Sequence, residues 1–409
     1  MATTNTTTTL NGLLKKQYSG NKDVSRIMPT FSLVAQFAPF TGKSQPIGEK
    51  YVEAVQLTRE QGFTYQAPGS NIVAYNDAVA TTVKNAEADI YEISGIFDIS
   101  NEMVSRAAYG SSQAFANSID TVVKSAVEST RHRLEINLLY GQEDIGVLDT
   151  YSSGATVRIT AATWASGIWA GQENTKIDVY SSAGAFKFTT SVVSVATATR
   201  DVTMSHSTGF ATDDKLYLHN TVGNEAMGMK KILSTSGSLF NIDNSQYGLW
   251  KGTTYSTVGE LTHEKIDYAI ALLADKAMPS NDLTLFISPS VWKDLNAEQA
   301  AKRQYTSGGG TAKNGFSGLE YASPTGGNVI VKPHPLVKTG DGFLLNKSAW
   351  KRIGTVDVKL GGPIAGDDNI VVHLQNSTGY RGYTYSHQSL FCNHPASNVY
   401  LSGITVGSL

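Results

Sequence analysis

Two short groups of polar residues have types that could bind a metal ion. His263 to Asp267 reads His-Glu-Lys-Ile-Asp, which begins like the zinc-binding His-Glu-x-x-His motif but has Asp where the second histidine must stand. The start of a solvated helix is therefore the better interpretation. Asp213, Asp214 and His219 could contact a cation, but a polar turn before an alternating strand also explains them.

A glycine-rich loop at 307–318 has the composition of a phosphate-binding loop. It contains Gly308, Gly309, Gly310 and Lys313, but it lacks the G-x-x-x-x-G-K-[ST] spacing that places backbone amides and a lysine around a phosphate. A mobile loop at a packing junction is the preferred interpretation. There is no G-x-S-x-G elbow, and Cys392 has no motif around it. We therefore predict no catalytic residue, no metal, no cofactor and no enzymatic activity.

Composition narrows the class of protein. The chain has 409 residues, 41% apolar residues, 17% charged residues and 38 glycines, which favours a turn-rich protein with real cores. A net charge of −2 argues against a protein whose main task is gripping nucleic-acid phosphates. The single cysteine excludes an intrachain disulfide and suggests folding in a reducing cytosol. Neither a membrane-spanning run nor a secretory signal is predicted.

The element most able to organise these residues is a long helix at 111–140. Its predicted apolar face recurs at three- and four-residue steps and comprises Phe115, Ile119, Val122, Val123, Ala126, Val127, Leu134 and Leu138. Its predicted solvated face carries Asp120, Lys124, Glu128, Arg131 and Glu135. Gly141 is expected to take the left-handed conformation just past the end. A helix with one apolar face should lie across a flat surface.

The two segments before this helix carry apolar residues that we expect to pack against another surface. Residues 1–50 resemble an arm rather than a domain, and Phe31, Phe37 and Phe40 would be costly to leave in water. A poorly ordered terminus is the alternative interpretation. Residues 51–87 alternate apolar and polar residues around a Pro-Gly turn, which predicts a long hairpin that carries Tyr65 and Tyr75 and rests on a partner.

The composition and the predicted secondary structure of the remaining chain change twice. Residues 150–258 are rich in Thr, Ser, Gly and Ala, with short alternating runs, which predicts an inserted β-barrel or sandwich. Residues 259–365 alternate helix and strand patterns, including a buried-type strand followed by a helix that Pro289 opens. Residues 366–409 are mostly strand-like.

The order of these elements resembles the major capsid proteins of tailed phages, which have the Hong Kong 97-type fold. Five stretches carry the resemblance, which covers almost all of the chain outside 150–258. They are ADIYEISGIFDISNEMVSRAA at 88–108, RHRLEINLLYG at 131–141, LFISPSVWKDL at 285–295, VIVKPHPLVKTGDGFLLNKSAWKRIG at 329–354 and YRGYTYSHQSLFCNHP at 380–395.

The resemblance implies an α+β fold with six parts. They are an N-terminal arm (1–50), an extended loop lying over a neighbouring subunit (51–87), a peripheral domain (88–149) with the spine helix 111–140, an inserted β domain (150–258), an axial domain (259–365) and C-terminal strands completing both domains (366–409). By the same resemblance, Gly309 and Lys313 should lie near a capsomer axis. The expected inter-subunit contacts are Phe31, Phe37, Phe40, Tyr65, Tyr75, Gly309 and Lys313.

The resemblance also implies partners and a location. The chain should bind copies of itself as hexamers and pentamers, form an icosahedral head in the virion, and contact packaged double-stranded DNA non-specifically. Assembly in the host cytoplasm is expected, with a portal, a possible decoration protein and no membrane. Residues 1–50 are too few for a fused scaffolding segment, so we expect a separate scaffolding protein. The resemblance also raises a Lys–Asn isopeptide cross-link, for which Lys84 is the main candidate in the hairpin. Nothing in the sequence identifies the Asn and the general-base Glu that Lys84 would need.

Two other classes of protein remain open. An encapsulin-type bacterial compartment shares the fold, and a cargo peptide expressed with the shell would identify it. An enzyme whose β insert forms a lid is more distant, and a purified monomer with a bound metal or nucleotide would support it.

Overall fold

The computed structural model describes residues 32–40, 48, 50–69, 74–102, 118–151, 153–276, 283–302, 319–322, 328–361, 371–374 and 378–407. Phe31, Gly309 and Lys313 lie outside these residues, as do the predicted start of the long helix and the glycine-rich loop. The predicted mixture of α-helix and β-strand is confirmed.

The helices are α1 (Val34–Phe37), α2 (Ser118–Tyr140), α3 (Ser166–Trp169), α4 (Met229–Ser234), α5 (His263–Asp275) and α6 (Pro289–Lys302), with 3₁₀ turns at Ala161–Thr163, Gly248–Trp250, Lys347–Ala349 and Pro395–Ser397. The strands before α4 are β1 (Tyr51–Gln56), β2 (Val83–Ala88), β3 (Tyr91–Ser100), β4 (Gly146–Val147), β5 (Thr156–Arg158), β6 (Lys176–Tyr180), β7 (Phe186–Ala196), β8 (Asp201–Met204) and β9 (Lys215–Leu218). The later strands are β10 (Ser238–Leu239), β11 (Ile242–Asp243), β12 (Thr253–Tyr255), β13 (Gly259–Glu260), β14 (Leu283–Ile287), β15 (Leu319–Ala322), β16 (Asn328–Pro333), β17 (Asp341–Asn346), β18 (Trp350–Leu360), β19 (Val371–His373), β20 (Gly379–Cys392), β21 (Val399–Ser402) and β22 (Ile404–Thr405).

Helix α2 lies against an antiparallel sheet built on β20. Strand β3 pairs with one edge of β20, while β18 and β19 pair with the other. The helix meets the sheet closely, because the hydroxyl oxygens of Thr130 and Thr384 are 2.7 Å apart. Gly95 permits this approach, since a Cβ there would lie 2.7 Å from Thr384 Oγ1.

The C-terminal part of α2 differs from the one-faced helix that the sequence predicts. Every residue from Leu134 to Tyr140 is buried, so this end is surrounded rather than laid across a surface. The predicted end at Tyr140 is confirmed. The left-handed residue, however, is Gln142 (φ 64°), not Gly141. Gly141 is needed for space instead, because a Cβ there would lie 2.1 Å from the Ala226 carbonyl oxygen.

A second, mixed sheet has the strand order β12-β21-β17-β14-β16-β15. Helix α5 buries Ile266, Ala269, Ile270 and Leu273, which belong to the same apolar cluster as the inward residues of β14. Strand β14 pairs in parallel with β16 and antiparallel with β17. Strands β14 to β17 lie within 259–365, where the sequence predicts alternating helices and strands, whereas β12 and β21 lie outside that range.

Six short strands between residues 146 and 218 form a sheet of order β4-β9-β6-β7-β8-β5. An antiparallel bridge between Leu148 and Ile159 connects the two outer strands, so the sheet closes on itself. Strand β12, although it precedes residue 258, pairs with β21 of the mixed sheet. The strands of this closed sheet therefore stop at Leu218, earlier than the predicted boundary at 258.

Candidate subunit-contact surface

The hairpin of residues 51–87 is held together by backbone pairing at its base and by side chains further out. Strands β1 and β2 pair in register from Tyr51–Ala88 to Gln56–Val83, and an isolated bridge joins Gln61 to Val79. Beyond that bridge, Asn76 Nδ2 donates to the Phe63 carbonyl oxygen at 2.8 Å. The predicted two-stranded loop is therefore present in the described residues.

The outer part of the hairpin exposes aromatic side chains. Tyr65 is 94% exposed, Tyr75 is 84% exposed and Phe63 is 73% exposed. Val79 and Val83 are also more than half exposed. Exposed rings of this kind are typical of an interaction surface, because leaving large rings in water is unfavourable.

The base of the hairpin is anchored to β18. The ammonium group of Lys351 binds the Glu53 carboxylate and lies 2.7 Å from Tyr51 Oη. The ring of Tyr51 packs edge-on against Phe391 at a centroid distance of 5.2 Å. Burial, followed by the hydrogen bond to Glu53, raises the pKa of Tyr51. The base of the hairpin is therefore fixed to its own chain, whereas its outer part is exposed.

The arm segment 32–40 is anchored by a buried carboxylate on α2. Glu135, which the sequence pattern assigned to the solvated face, is only 2% exposed. Its carboxylate accepts hydrogen bonds from the backbone N–H groups of Leu33, Val34 and Ala35 at 2.8 to 3.0 Å. These are the unpaired donors at the start of α1, so Glu135 caps that helix from a distant part of the chain.

Arg352 provides a second anchor for the arm. Its Nε donates to the Ala38 carbonyl oxygen at 3.0 Å, and its backbone N–H donates to the Pro39 carbonyl oxygen at 2.9 Å. The guanidinium group also lies over the Phe40 ring at 5.6 Å. The arm therefore follows the surface of its own chain up to Phe40.

Of the predicted contact residues, Tyr65 and Tyr75 are exposed, and Phe40 is partly exposed. Phe37 differs: it is 5% exposed and packs edge-on against Phe286 of its own chain at 5.5 Å. The Phe37 ring is already covered by its own core, and a contact of Phe37 with a neighbouring subunit stays a prediction. Phe63 was not predicted, although it belongs to the same alternating run as Tyr65.

A buried polar network joins α4, β17, the segment between β16 and β17, and the chain entering the closed sheet. Lys338 Nζ contacts Asp144 Oδ1 at 3.2 Å, and Lys230 Nζ contacts Asp341 Oδ2 at the same distance. Burial would raise the pKa of Asp144, but Lys338 and Lys230 hold it below its usual value. Burial lowers the pKa of the fully enclosed Lys338. The paired charges make these elements one connected body.

An open groove of about 790 Å³ lies between β3, α2 and the loop after β9. Ile93, Phe97 and Val122 contribute apolar walls. Glu225 lies at one end, where it accepts hydrogen bonds from Asn137 Nδ2 at 2.8 Å and from the Gln142 backbone N–H at 2.7 Å. Burial outweighs these bonds and raises the pKa of Glu225 to about 7.

The residues considered for metal chemistry have structural partners. His219 Nδ1 lies 2.8 Å from Asp178 Oδ1, and Asp214 pairs with Lys187. His263 Nδ1 lies 3.0 Å from Glu298 Oε2. Within the described ranges, no group of three or more His, Cys, Asp or Glu side chains could hold a metal ion. Burial raises the pKa of the Cys392 thiol.

In the described part of the chain, no helix is both long and apolar enough to cross a bilayer.

Comparison with known proteins gives a fold but no sequence family. No family model matches the chain, and no curated protein matches it. The solved capsid asymmetric unit of cyanophage A-1(L) is similar, with a TM-score of 0.57, 11% identity, and coverage of 95% of this chain and 97% of that one. A capsid of a native GTA particle matches with a TM-score of 0.47 and 9% identity, covering 98% of this chain and 99% of that one. The SrpI encapsulin of Synechococcus elongatus PCC 7942 matches with a TM-score of 0.43 and 9% identity, covering 94% of each chain.

The chain therefore has the fold of a phage capsid protein. This likeness in fold extends over nearly its whole length.

Proposed function

We propose that this chain is the major capsid protein of a tailed bacteriophage. Copies associate as hexamers and pentamers and close into an icosahedral head around double-stranded DNA, which they contact non-specifically. The observation that supports this most is the hairpin with three aromatic rings more than 70% exposed, on a fold shared with a cyanophage capsid. A surface of this kind is satisfied when another subunit covers it.

The proposal includes further partners and a role for each predicted segment. The segments 1–50, 51–87, 88–149, 150–258, 259–365 and 366–409 act as arm, extended loop, peripheral domain, inserted domain, axial domain and closing strands. Phe40, Tyr65 and Tyr75 contact neighbouring subunits, and Phe31, Gly309 and Lys313 are further proposed contacts outside the described residues. A separate scaffolding protein, a portal and, in some shells, a decoration protein complete the virion, which assembles in the host cytoplasm.

Shortening the hairpin tests this function. Replacing residues 57–82 with an Asn-Gly turn keeps the β1–β2 ladder and removes the exposed rings. We expect folded, soluble subunits that do not close shells, measured by sedimentation and circular dichroism. Normal particles from this variant would contradict the role of the hairpin.

The nature of the cargo separates a virus head from an encapsulin-type compartment. Particles made during infection should protect double-stranded DNA from nuclease. Particles that instead enclose a protein cargo through a bound peptide would replace the virus proposal with the compartment.

A further inference from the structure

The outer face of the closed sheet carries three aromatic rings side by side. Strand pairing places Tyr180 of β6 directly opposite Phe186 of β7 and Lys215 of β9, and directly opposite residues lie on the same face of a sheet. Tyr217 lies on that face too, because it stands two residues beyond Lys215 on the same strand. The ring centroids of Tyr180 and Phe186 are 5.4 Å apart, and those of Tyr180 and Tyr217 are 5.1 Å apart. Tyr180, Phe186 and Tyr217 therefore form one continuous surface, the aromatic row.

The aromatic row is separate from the core of the closed sheet. The adjacent strand residues Val179 and Leu216 are fully buried and belong to the main apolar cluster. Phe186, by contrast, is 55% exposed, and the two tyrosines are half-buried. Inward residues fill the interior of a small closed sheet, so the fold does not require three rings on its outer face. We infer that the row serves an occupant from outside the chain.

The aromatic row also offers hydroxyl groups. Among the described residues, no hydrogen bond to the hydroxyl group of Tyr180 or Tyr217 is found. Burial raises the pKa of Tyr217 to about 12, so this phenol keeps its proton at neutral pH and can both donate and accept a hydrogen bond. Lys215, opposite Tyr180, adds a further donor. Aromatic rings beside uncommitted hydroxyl groups fit a sugar, whose ring has apolar C–H faces and a rim of O–H groups.

Charge and area narrow the class of occupant. The negative charges of Asp144 and Glu143 act on Tyr217, which disfavours an anionic ligand such as a nucleic acid or an acidic sugar. The row exposes on the order of 250 Å², since Phe186 is about half exposed and the tyrosines are less so. A stable protein interface buries roughly 800 Å² per partner, which is much more than the row provides. Small β-barrels bind oligosaccharides on an outer strand face of this kind.

We propose that the aromatic row binds a neutral oligosaccharide built of hexose units. The apolar faces of the sugar pack on Phe186 and Tyr180. Its hydroxyl groups bond to the phenols of Tyr180 and Tyr217 and to the ammonium group of Lys215. The site is complete within one chain, so this inference goes beyond the proposed shell function and does not depend on it.

Isothermal titration calorimetry of the purified full chain with maltohexaose, cellohexaose and mannohexaose tests the proposal. At least one of these neutral probes should bind, and Phe186→Ala should lower its association constant about tenfold or more, because the sugar loses a ring to pack on. Val193→Ala, which shortens an equally exposed side chain on the same strand, is the control and should bind normally. No binding of any of the three probes, or equal binding by Phe186→Ala, would overturn the site.

Removing the hydroxyl groups separates a sugar from a protein occupant. The double variant Tyr180→Phe with Tyr217→Phe keeps the rings, and it should weaken probe binding about threefold or more, because sugar O–H groups lose partners. Unchanged affinity would contradict the hydroxyl contacts. If Phe186→Ala impairs shell formation while the wild-type chain binds no probe, a second copy replaces the sugar as the occupant. A wild-type chain that binds a probe but forms no shells would reject the shell function alone.

Discussion

At the scale of single residues, two glutamates show that tertiary contacts can bury a side chain whose sequence pattern predicts exposure to solvent. Glu135 follows the helical spacing of a solvated face, yet it is enclosed because the arm, about 100 positions earlier in the chain, places three N–H groups around it. Local periodicity contains no information on that contact. The burial of Glu225 is equally invisible in the sequence, because it depends on Asn137 and Gln142 at the end of α2.

Glu225 should make stability depend on pH. Its pKa in the folded chain is about 7, above the usual 4.5, so the folded state binds the proton more tightly than the unfolded state does. The free energy of unfolding therefore has its full contribution below about pH 4.5 and falls as the pH rises through 7. Relative to Glu225→Gln, the wild-type chain should lose about 2–4 kcal/mol between those pH values.

Chemical denaturation of the soluble subunit at several pH values would measure that difference. The amide in Glu225→Gln can keep both contacts, because Asn137 can rotate its own amide to accept. Parallel pH profiles for the two proteins would show that Glu225 ionises normally in the fold.

The arm anchor gives a second residue-scale prediction. Glu135→Ala leaves the first N–H groups of α1 without acceptors, and we expect a loss of about 2–4 kcal/mol together with faster proteolysis between residues 32 and 40. Limited proteolysis followed by mass spectrometry measures the cut site. The control is Glu173→Ala, which removes an exposed carboxylate. Equal cutting rates in both variants would show that Glu135 does not hold the arm.

At the scale of elements, the sequence predicts that a helix or strand is present better than it predicts where a sheet or domain ends. The end of α2 and the strands of the mixed sheet follow from periodicity and from Pro289, because these signals are local. The end of the closed sheet does not, since β12 joins β21 through pairing with residues near the C-terminus. Gly141 was expected in a left-handed turn, whereas it actually makes room for the neighbouring Ala226.

Close backbone contact at the end of α2 predicts that replacing Gly228 by alanine destabilises the fold much more than replacing Gly248. A Cβ on Gly228 would lie 2.3 Å from the Gly141 backbone nitrogen, whereas a Cβ on Gly248 would meet nothing within 4 Å. Gly228→Ala should therefore lower the free energy of unfolding by about 2 kcal/mol or more. Gly248→Ala should change it by less than about 0.5 kcal/mol. Thermal unfolding of both variants tests the contact, and equal melting temperatures would contradict it.

The core of α2 gives the strongest element-scale prediction. Leu134 is 4% exposed, so Leu134→Asp would bury an unpaired charge and should prevent folding. Arg131→Asp, nearly one turn away at an exposed position, should fold. The yield of soluble chain and its circular dichroism measure the outcome. A folded Leu134→Asp chain would show that this face is not enclosed.

At the scale of the whole molecule, the proposed binding of the chain to copies of itself links structure to function. In the described part of the chain, the arm is anchored through Glu135 and Arg352, yet the rings of the hairpin are exposed and β3 pairs only with β20. The sequence predicted the exposed hairpin from its alternating pattern. It could not predict the groove, which exists only after β3, α2 and the loop beyond Leu218 come together.

Electron microscopy of the purified full chain at increasing concentration tests the central claim most directly. The account predicts closed shells with five-fold and six-fold clusters of subunits. A chain that stays monomeric and stable at every concentration, with its hairpin rings protected by its own surface, would contradict it.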